Sequence, residues 1–258
     1  MLTSAVSGGR TTYGHSMGAL MLDTRFPRPP GDIGNALTWP FPMLYKVVRG
    51  ASPARILRDA DPALLQPFID AGNDLVAQGV RAITTSCGYL AIFQRELSAS
   101  IPVPVLSSSL LQVPMASRLC GDSRRIGIIT VRDMLTERHF NGVGWSRKNF
   151  PVSIGVLPTE SLFTRVHAPL DPEDAIPPVP EGAFANEVVE TALKLVRDEP
   201  SISAIVMECT NLVPYSGAVR EATQLPVFDH YTLVMNAYHA LLGPDFGATG
   251  PRQGWRQE

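Results

Sequence analysis

Cysteine is scarce in this sequence, with three residues among 258 and no Cys-x-x-Cys pair. Three cysteines cannot build the disulfide framework of a small secreted domain. A chain of this length buries a sufficient core without disulfides, in one large domain or two lobes. We therefore expect free thiols in a reducing compartment, which means a cytoplasmic protein.

Long hydrophobic runs and an excess of either charge are also absent. No apolar run approaches the ~20 residues that a membrane-spanning helix needs. The first sixteen residues are rich in Gly, Ser and Thr and lack the apolar middle of a signal peptide. The net charge is −2, so no basic surface is expected for nucleic acid or anionic lipid. We expect neither a nucleic-acid partner nor a membrane partner.

The motifs of several large enzyme classes are missing as well. No Gly-x-Gly-x-x-Gly follows a predicted strand, as a dinucleotide site requires, and no Gly-x-Ser-x-Gly indicates a serine hydrolase. The five histidines show no metal-ligand spacing. His230, which follows Asp229 at a predicted strand end, is a candidate to line a cleft. We expect neither a metal nor a cofactor.

An internal repeat organises the chain. Residues 82–87 read Ala-Ile-Thr-Thr-Ser-Cys, and residues 204–209, which lie 122 positions later, read Ala-Ile-Val-Met-Glu-Cys. Residues 104–106 and 226–228 show the same offset. The repeated unit is helix, buried strand, Cys, helix and Pro-led strand, which is about half of a doubly wound α/β protein. We therefore predict an α/β fold of two pseudosymmetric Rossmann-like lobes, each a mainly parallel sheet flanked by helices, with the active site in the cleft between them.

Hydrophobic patterns and capping residues place the elements. Strands are predicted at 17–23, 43–48, 80–84, 103–106, 125–131, 152–156, 204–207 and 227–228. Helices are predicted from 52, at 62–78, 89–97, 110–119, 134–140 and 184–197, from about 215, and at 232–242. Lobe one is expected to comprise 17–106 plus 229–243 and to carry Cys87, and lobe two to comprise 107–228 and to carry Cys209, with loose termini at 1–16 and 244–258.

A long loop follows the first predicted strand, at residues 24–42. It contains Pro27, Pro29, Pro30 and Pro40, so it can hold neither a helix nor a central strand. Loops of this length inside a compact domain are uncommon unless they serve a site. The loop is interpreted either as part of a functional site or as a surface excursion that only packs.

Cys87 and Cys209 each follow a buried strand and precede a helix. A helix N-terminus lowers a thiol pKa and binds a carboxylate. Two such thiols could flank the α-carbon of a small carboxylate, one removing a proton as thiolate and the other returning it to the opposite face. The alternative is that each Cys is a small buried apolar residue. Cys120 has no counterpart in the repeat and is interpreted as structural.

The motifs Thr85-Ser86-Cys87-Gly88 and Glu208-Cys209-Thr210-Asn211 resemble those of the aspartate/glutamate racemase superfamily, which includes hydantoin racemase. The resemblance spans about 18–242 and implies two pseudosymmetric α/β lobes, an acid/base pair of Cys87 and Cys209, no cofactor, and a homodimer or higher homo-oligomer. It also implies that polar groups beside the cysteines hold the substrate carboxylate, namely Thr85, Ser86, Gly88, Thr210 and Asn211. Asp23, at the end of the first strand, matches the acidic helper of glutamate racemases or is a loop-capping residue.

Two departures argue against glutamate as the substrate. Asn211 stands where glutamate racemases carry His, and the Gly-rich turn after the first strand is missing. Residues 22–34 and 45–50 instead resemble a branch that contains the algal dimethylsulfoniopropionate lyases. That branch implies removal of an α-proton followed by loss of a β-leaving group. Arg49 and Lys46 are candidates to bind a substrate carboxylate, or are ordinary surface charges.

Three functions therefore remain open from the sequence. The first is a cofactor-independent racemase or epimerase of a small amino-acid-like carboxylate. The second is a lyase that uses the same cysteines for α-proton abstraction and β-elimination; a decarboxylase of this superfamily would be expected to keep only one Cys. The third is a non-catalytic protein that binds a small ligand and has inert thiols. Fast alkylation with an apparent thiol pKa below ~8.5 would indicate chemistry.

Overall fold

The computed structural model describes residues 9–58, 60–121, 124–170 and 178–243. Part of the expected loose N-terminus, residues 1–8, and all of residues 244–258 lie outside the described residues. Within them, the chain forms two four-stranded parallel sheets with helices packed around them. The predicted α/β class with two pseudosymmetric lobes is confirmed.

The first sheet contains β1 (Met17–Leu22), β2 (Met43–Val48), β3 (Ala82–Thr85) and β4 (Val105–Leu106). Its strand order is β2-β1-β3-β4, and every pair is parallel. β1 and β3 are buried along their whole length because they are the central strands, covered on both faces. This double burial explains why both strands contain no charged residue.

The second sheet contains β5 (Arg125–Thr130), β6 (Val152–Val156), β7 (Ile202–Met207) and β8 (Val227–Phe228). Its order, β6-β5-β7-β8, repeats that of the first sheet, with all pairs again parallel. β3 and β7 hold equivalent places, as the sequence repeat predicts. In such sheets the crevice for a ligand lies beyond the carboxyl ends of the strands, where the strand order reverses.

Helices connect the strands and cover the sheets. Their bounds are α1 Pro53–Leu57, α2 Leu65–Ala77, α3 Gln94–Ser100, α4 Val113–Cys120, α5 Glu137–Gly142, α6 Leu162–His167, α7 Ala183–Asp198, α8 Ser216–Thr223 and α9 His230–Leu242. The Ser52 hydroxyl caps α1 by accepting from the Arg55 amide at 3.3 Å, as predicted. Pro114 lies in the first turn of α4, where its missing N–H costs no intrahelical bond.

Three features differ from the sequence-based assignment. The loop at 24–42, expected to hold no helix, contains a short 3₁₀ helix, Ala36–Thr38, which the Asn35 side chain caps by accepting from the Leu37 amide at 2.9 Å. α6 was not predicted; the Ser161 hydroxyl starts it by accepting from the Thr164 amide at 3.1 Å. The helix predicted at 89–97 begins as a 3₁₀ helix, Gly88–Phe93, before α3. The helix predicted from about 215 is confirmed as α8, but the 3₁₀ helix before it, Thr210–Tyr215, was not predicted. A 3₁₀ segment has three residues per turn and remains short, so it leaves little periodic pattern in a sequence.

The two lobes share one apolar core cluster, which includes Leu20 of the first sheet and Val206 of the second. The lobes also approach closely at Gly142, where a Cβ would lie 2.1 Å from the carbonyl oxygen of Ala91. α9 returns to the first sheet, and its Val234 packs against residues of β1 and β3. None of the helices in the described part of the chain is long and apolar enough to cross a bilayer.

Candidate active site

Cys87 and Cys209 lie two residues beyond the ends of β3 and β7, at equivalent places in the two lobes. Both cysteines line the same small cavity, together with Ser86, Gly88 and Asn211, and Cys87 is buried whereas Cys209 is partly exposed. The volume of this cavity is about 30 Å³. That is room for about one water molecule. The structure therefore brings the two predicted catalytic cysteines together in a closed site between the sheets.

The thiol pKa values are raised, which contradicts the expectation that helix N-termini would lower them. Burial, followed by the charge of nearby Glu208, raises the pKa of Cys87 to about 12. The same two causes raise the pKa of Cys209 well above its usual value. Hydrogen bonds from the Tyr89 and Leu90 amides favour the Cys87 thiolate, but they are outweighed by desolvation. Both thiols are therefore protonated in the closed cavity at neutral pH.

Glu208 is a site residue that the sequence reasoning did not select. It is fully buried at the end of β7, and it lines the cavity beside Cys209. Its Oε2 accepts a hydrogen bond from the Thr130 hydroxyl at 2.7 Å, whereas Oε1 has no hydrogen-bond partner among the described residues. Burial raises the pKa of Glu208 to about 8. The sequence feature that could have identified Glu208 is its position between a predicted buried strand and a candidate catalytic cysteine.

A hydrogen-bond network extends from Glu208 to the opposite side of the site. The Tyr89 hydroxyl donates to the Arg132 carbonyl oxygen at 2.5 Å and lies 3.1 Å from the Thr130 hydroxyl oxygen. Burial, and then the Glu208 charge, raise the pKa of Tyr89. Thr130 therefore holds the Glu208 carboxyl in place, and the Tyr89 hydroxyl lies in contact with Thr130.

The long loop at residues 24–42 reaches the site through Asp32. Its carboxylate pairs with Arg28 at 2.6 Å through Oδ1 and accepts from the Asn211 side-chain amide at 2.7 Å through Oδ2. Asn211 Oδ1 in turn accepts from the Cys209 thiol at 3.6 Å. The Asp32 side chain is only 1% exposed. This bridge links the loop of the first lobe to the cysteine of the second.

Two predicted binding residues, Thr85 and Thr210, are buried next to the cavity without lining it. The Thr85 hydroxyl donates to the Ser107 carbonyl oxygen at 2.7 Å, and the Thr210 hydroxyl donates to the Ser86 carbonyl oxygen at 2.7 Å. The Ser86 hydroxyl, which does reach the wall, accepts from the Leu22 amide at 2.8 Å. These groups fix the backbone around the cysteines.

The structure does not bring Asp23 and Arg49 to the cavity wall. They form an exposed ion pair at 3.7 Å, in which Arg49 is 86% exposed and Asp23 is 36% exposed. Lys46 pairs at 2.9 Å with Asp74 on the surface. His230 is fully buried, with its Nε2 2.5 Å from the Thr84 hydroxyl, and does not line this cavity.

The rest of the wall is apolar and aromatic. Phe26, Tyr89 and His167 contribute rings, and Leu22 and Val131 contribute aliphatic side chains. His167 stacks on Phe163 with ring centroids 4.2 Å apart, and burial lowers its pKa to about 4, so the ring is neutral at neutral pH. Sequence patterns did not identify Phe26 and His167 as wall residues, because Phe26 comes from the loop at 24–42 and His167 from α6. Among the described residues, no group of three or more His, Cys, Asp or Glu side chains is placed to hold a metal ion.

Comparisons with known proteins were made by sequence and by structure. No protein-family model matches the chain. The chain is 32% identical over 224 residues to a dimethylsulfoniopropionate lyase of Durusdinium sp. clade D, covering 83% of this chain and 71% of that protein. It is also 32% identical over 257 residues to dimethylsulfoniopropionate lyase 7 of Emiliania huxleyi (strain CCMP1516), covering 93% and 71% of the two chains.

Solved structures share the two-lobed architecture at low sequence identity. An unliganded arylmalonate decarboxylase aligns with a TM-score of 0.57 at 14% identity, over 94% of this chain and 97% of that one. A glutamate racemase from Francisella tularensis subsp. tularensis SCHU S4, in complex with D-glutamate, aligns with a TM-score of 0.50 at 15% identity, over 89% and 81%. At such identities the likeness describes the fold.

Proposed function

The chain belongs to the dimethylsulfoniopropionate lyase family, within the aspartate/glutamate racemase superfamily, and from this we propose that it is a lyase of a β-sulfonium propionate. In the proposed reaction one cysteine thiol first loses its proton to solvent, and the resulting thiolate removes the α-proton of the substrate. The electron pair of that C–H bond forms the α,β double bond, and the C–S bond breaks. The products are acrylate, neutral dimethyl sulfide and the protonated thiol, which then returns its proton to solvent. This overall change needs no oxidant or reductant.

The observation that carries the proposal is the shared cavity of Cys87 and Cys209 in a chain of this family. Elimination needs one basic thiolate, because dimethyl sulfide leaves as a neutral molecule and takes no proton. The cavity as it stands holds about one water, so its walls must separate to admit the substrate. Closure around the bound substrate would then exclude bulk water from the reacting carbon.

The proposal is tested by measuring dimethyl sulfide in the headspace over the reduced full-length protein and dimethylsulfoniopropionate. We expect the wild type to release it, and Cys87→Ala or Cys209→Ala to reduce the rate by at least about a hundredfold for the thiol that acts as base. Cys120→Ala is the matched control, because its thiol, at the end of α4, lies 3.7 Å from the Ser203 carbonyl oxygen and does not line the cavity. Loss of activity in Cys120→Ala alone would oppose the proposal.

A second candidate is racemisation or epimerisation of an amino-acid-like carboxylate. The observation that favours it is the presence of two cysteines in one cavity, since two-base proton transfer requires both. Its test is deuterium exchange at the α-carbon of amino acids and hydantoins in heavy water. Exchange of these compounds without release of dimethyl sulfide would favour racemisation over elimination.

A further inference from the structure

The cavity wall includes a carboxyl group, that of Glu208, which has no counter-charge among the described residues of the wall to pair with when it ionises. Glu208 Oε1 is buried without a hydrogen-bond partner among the described residues. Buried polar atoms are satisfied in the great majority of cases, so each exception needs a reason. Among the described residues, the wall of this cavity includes no Lys or Arg side chain. Oε1 therefore lacks both a donor and a counter-charge from the protein.

The surroundings of this carboxyl suit a compact organic cation better than a metal ion. Phe26 and Tyr89 line the same cavity, and the Phe26 ring already packs against one organic cation, the Arg28 guanidinium, 4.5 Å from its centroid. The faces of such rings carry negative potential and attract sulfonium-like and quaternary ammonium groups. The carboxyl is also positioned by the Thr130 hydroxyl, which donates to its Oε2 at 2.7 Å, and by Gly88, where a Cβ would lie 2.3 Å from Oε1.

We propose that Glu208 is the counter-ion for the positively charged β-substituent of the substrate, so that the site selects a cationic propionate over a neutral one of the same shape. This inference rests on the proposed function, because the sulfonium group is the cation that such a lyase binds. It assigns binding and specificity to a carboxylate that stands next to Cys209, separate from the proton transfer assigned to the cysteines.

Among the titratable groups around the cavity, Glu208 is the one expected to change its charge when a cation binds at pH 7. Cys87, Cys209 and Tyr89 have raised pKa values and stay protonated, and His167 has a lowered pKa and stays neutral. Two other sets of charged groups lie on neighbouring elements. Asp32 and Arg28 of the loop neutralise each other in an ion pair. The Arg132 guanidinium donates to the Ala168 carbonyl oxygen at 2.9 Å. A bound cation therefore favours ionised Glu208, and binding at pH 7 releases a proton.

The experiment compares two ligands that differ by one charge. β-(Trimethylammonio)propionate is the cation, and its carbon isostere, in which a quaternary carbon replaces the nitrogen, is the neutral match. Calorimetric titration of the reduced full chain should give at least about tenfold tighter binding of the cation, and Glu208→Gln should bring the ratio close to one. Glu190→Gln, on the exposed face of α7, removes the same charge outside the cavity and should behave as the wild type.

A second measurement does not depend on the variant folding. Titrations of the wild type in two buffers with different ionisation enthalpies report the protons released, which should approach one for the cation at pH 7 and none for the neutral isostere. Cation preference that survives in Glu208→Gln, or equal affinity of the wild type for the two ligands, would overturn the inference. Dimethyl sulfide release is recorded on the same samples. If Glu208→Gln loses the preference for the cation while the wild type releases no dimethyl sulfide, the inference about Glu208 is supported and the proposed lyase function is refuted.

Discussion

Glu208 makes a sharp prediction about stability because its pKa is raised by burial to about 8 from an ordinary value of 4.5. Between these two pH values the unfolded chain has lost this proton while the folded protein keeps it. The free energy of unfolding therefore falls as pH rises, by about 1.4 kcal/mol per pH unit for this group. The stabilisation is complete below pH 4.5 and is lost as pH passes 8, a total of about 5 kcal/mol.

Glu208→Gln removes this titration while keeping the size of the side chain and an acceptor for Thr130. The wild type should thus lose stability relative to the variant by about 3 kcal/mol between pH 6 and pH 8.5. His139 and His167 also have lowered pKa values, of about 4, but both proteins carry them, so their contribution cancels in the difference.

The assay is urea denaturation at a series of pH values in reducing buffer, followed by circular dichroism and by tryptophan fluorescence. Trp39 packs in the core cluster of the first sheet and Trp145 stacks on Phe140 of α5, so coincident transitions indicate cooperative unfolding of both lobes. A stability difference between wild type and Glu208→Gln that stays constant with pH would refute the reasoning that a buried, protonated carboxyl lies in this cavity.

Three further predictions concern the cavity wall. Gly88→Ala should destabilise the protein by about 1–3 kcal/mol and abolish activity, because the added Cβ would lie 2.2 Å from the Glu208 carbonyl oxygen. The control is Gly217→Ala in α8, where no atom lies within 4 Å of the added Cβ, and it should be neutral or stabilising. Urea denaturation of both variants measures the difference. Asp32→Asn should lower kcat by about ten- to a hundredfold with a smaller change in KM, because the bridge that orients Cys209 loses its charge. Without ligand at pH 8, iodoacetamide should alkylate Cys209 at least about tenfold more slowly than Cys120, as measured by peptide mass spectrometry, because burial raises the pKa of Cys209.

Each of these predictions has a result that contradicts it. Equal destabilisation by the two glycine substitutions would mean that the close approach at Gly88 is not as described. An Asp32→Asn variant with unchanged kcat would show that the contact between the loop and Asn211 does not contribute to catalysis. Fast alkylation of Cys209 at neutral pH would show that the cavity is open to water in the free protein.

The sheets could be predicted because parallel strands buried on both faces leave a strong signal. The repeat at residues 82–87 and 204–209 predicted one central strand in each sheet, β3 and β7, and the matched positions of Cys87 and Cys209. The 3₁₀ helices after the cysteines were not predicted, since they carry no amphipathic period. The prediction that the pKa values of the two cysteines are lowered was wrong, because the sequence does not show how deeply the thiols are buried.

Contacts between distant parts of the chain account for the rest of what the sequence could not show. Asp32 and Asn211 are 179 positions apart and meet only because the two lobes close on each other. The length of the loop at 24–42 suggested a role but not a partner. The sequence motif did not indicate a function for Glu208, since a Glu at a strand end is ordinarily exposed to solvent. Its complete burial is visible only in the structure.

We propose that the cysteines of this cavity eliminate a sulfide from a β-sulfonium propionate. The most direct test is a proton NMR time course of dimethylsulfoniopropionate in reducing heavy-water buffer, with the wild type and with a Cys87→Ala/Cys209→Ala double variant of matched fold. We predict that the vinyl signals of acrylate and the methyl signal of dimethyl sulfide grow in equal molar amounts with the wild type and do not appear with the double variant. A folded, reduced wild type that leaves the spectrum unchanged, or a double variant that retains the elimination, would contradict the account.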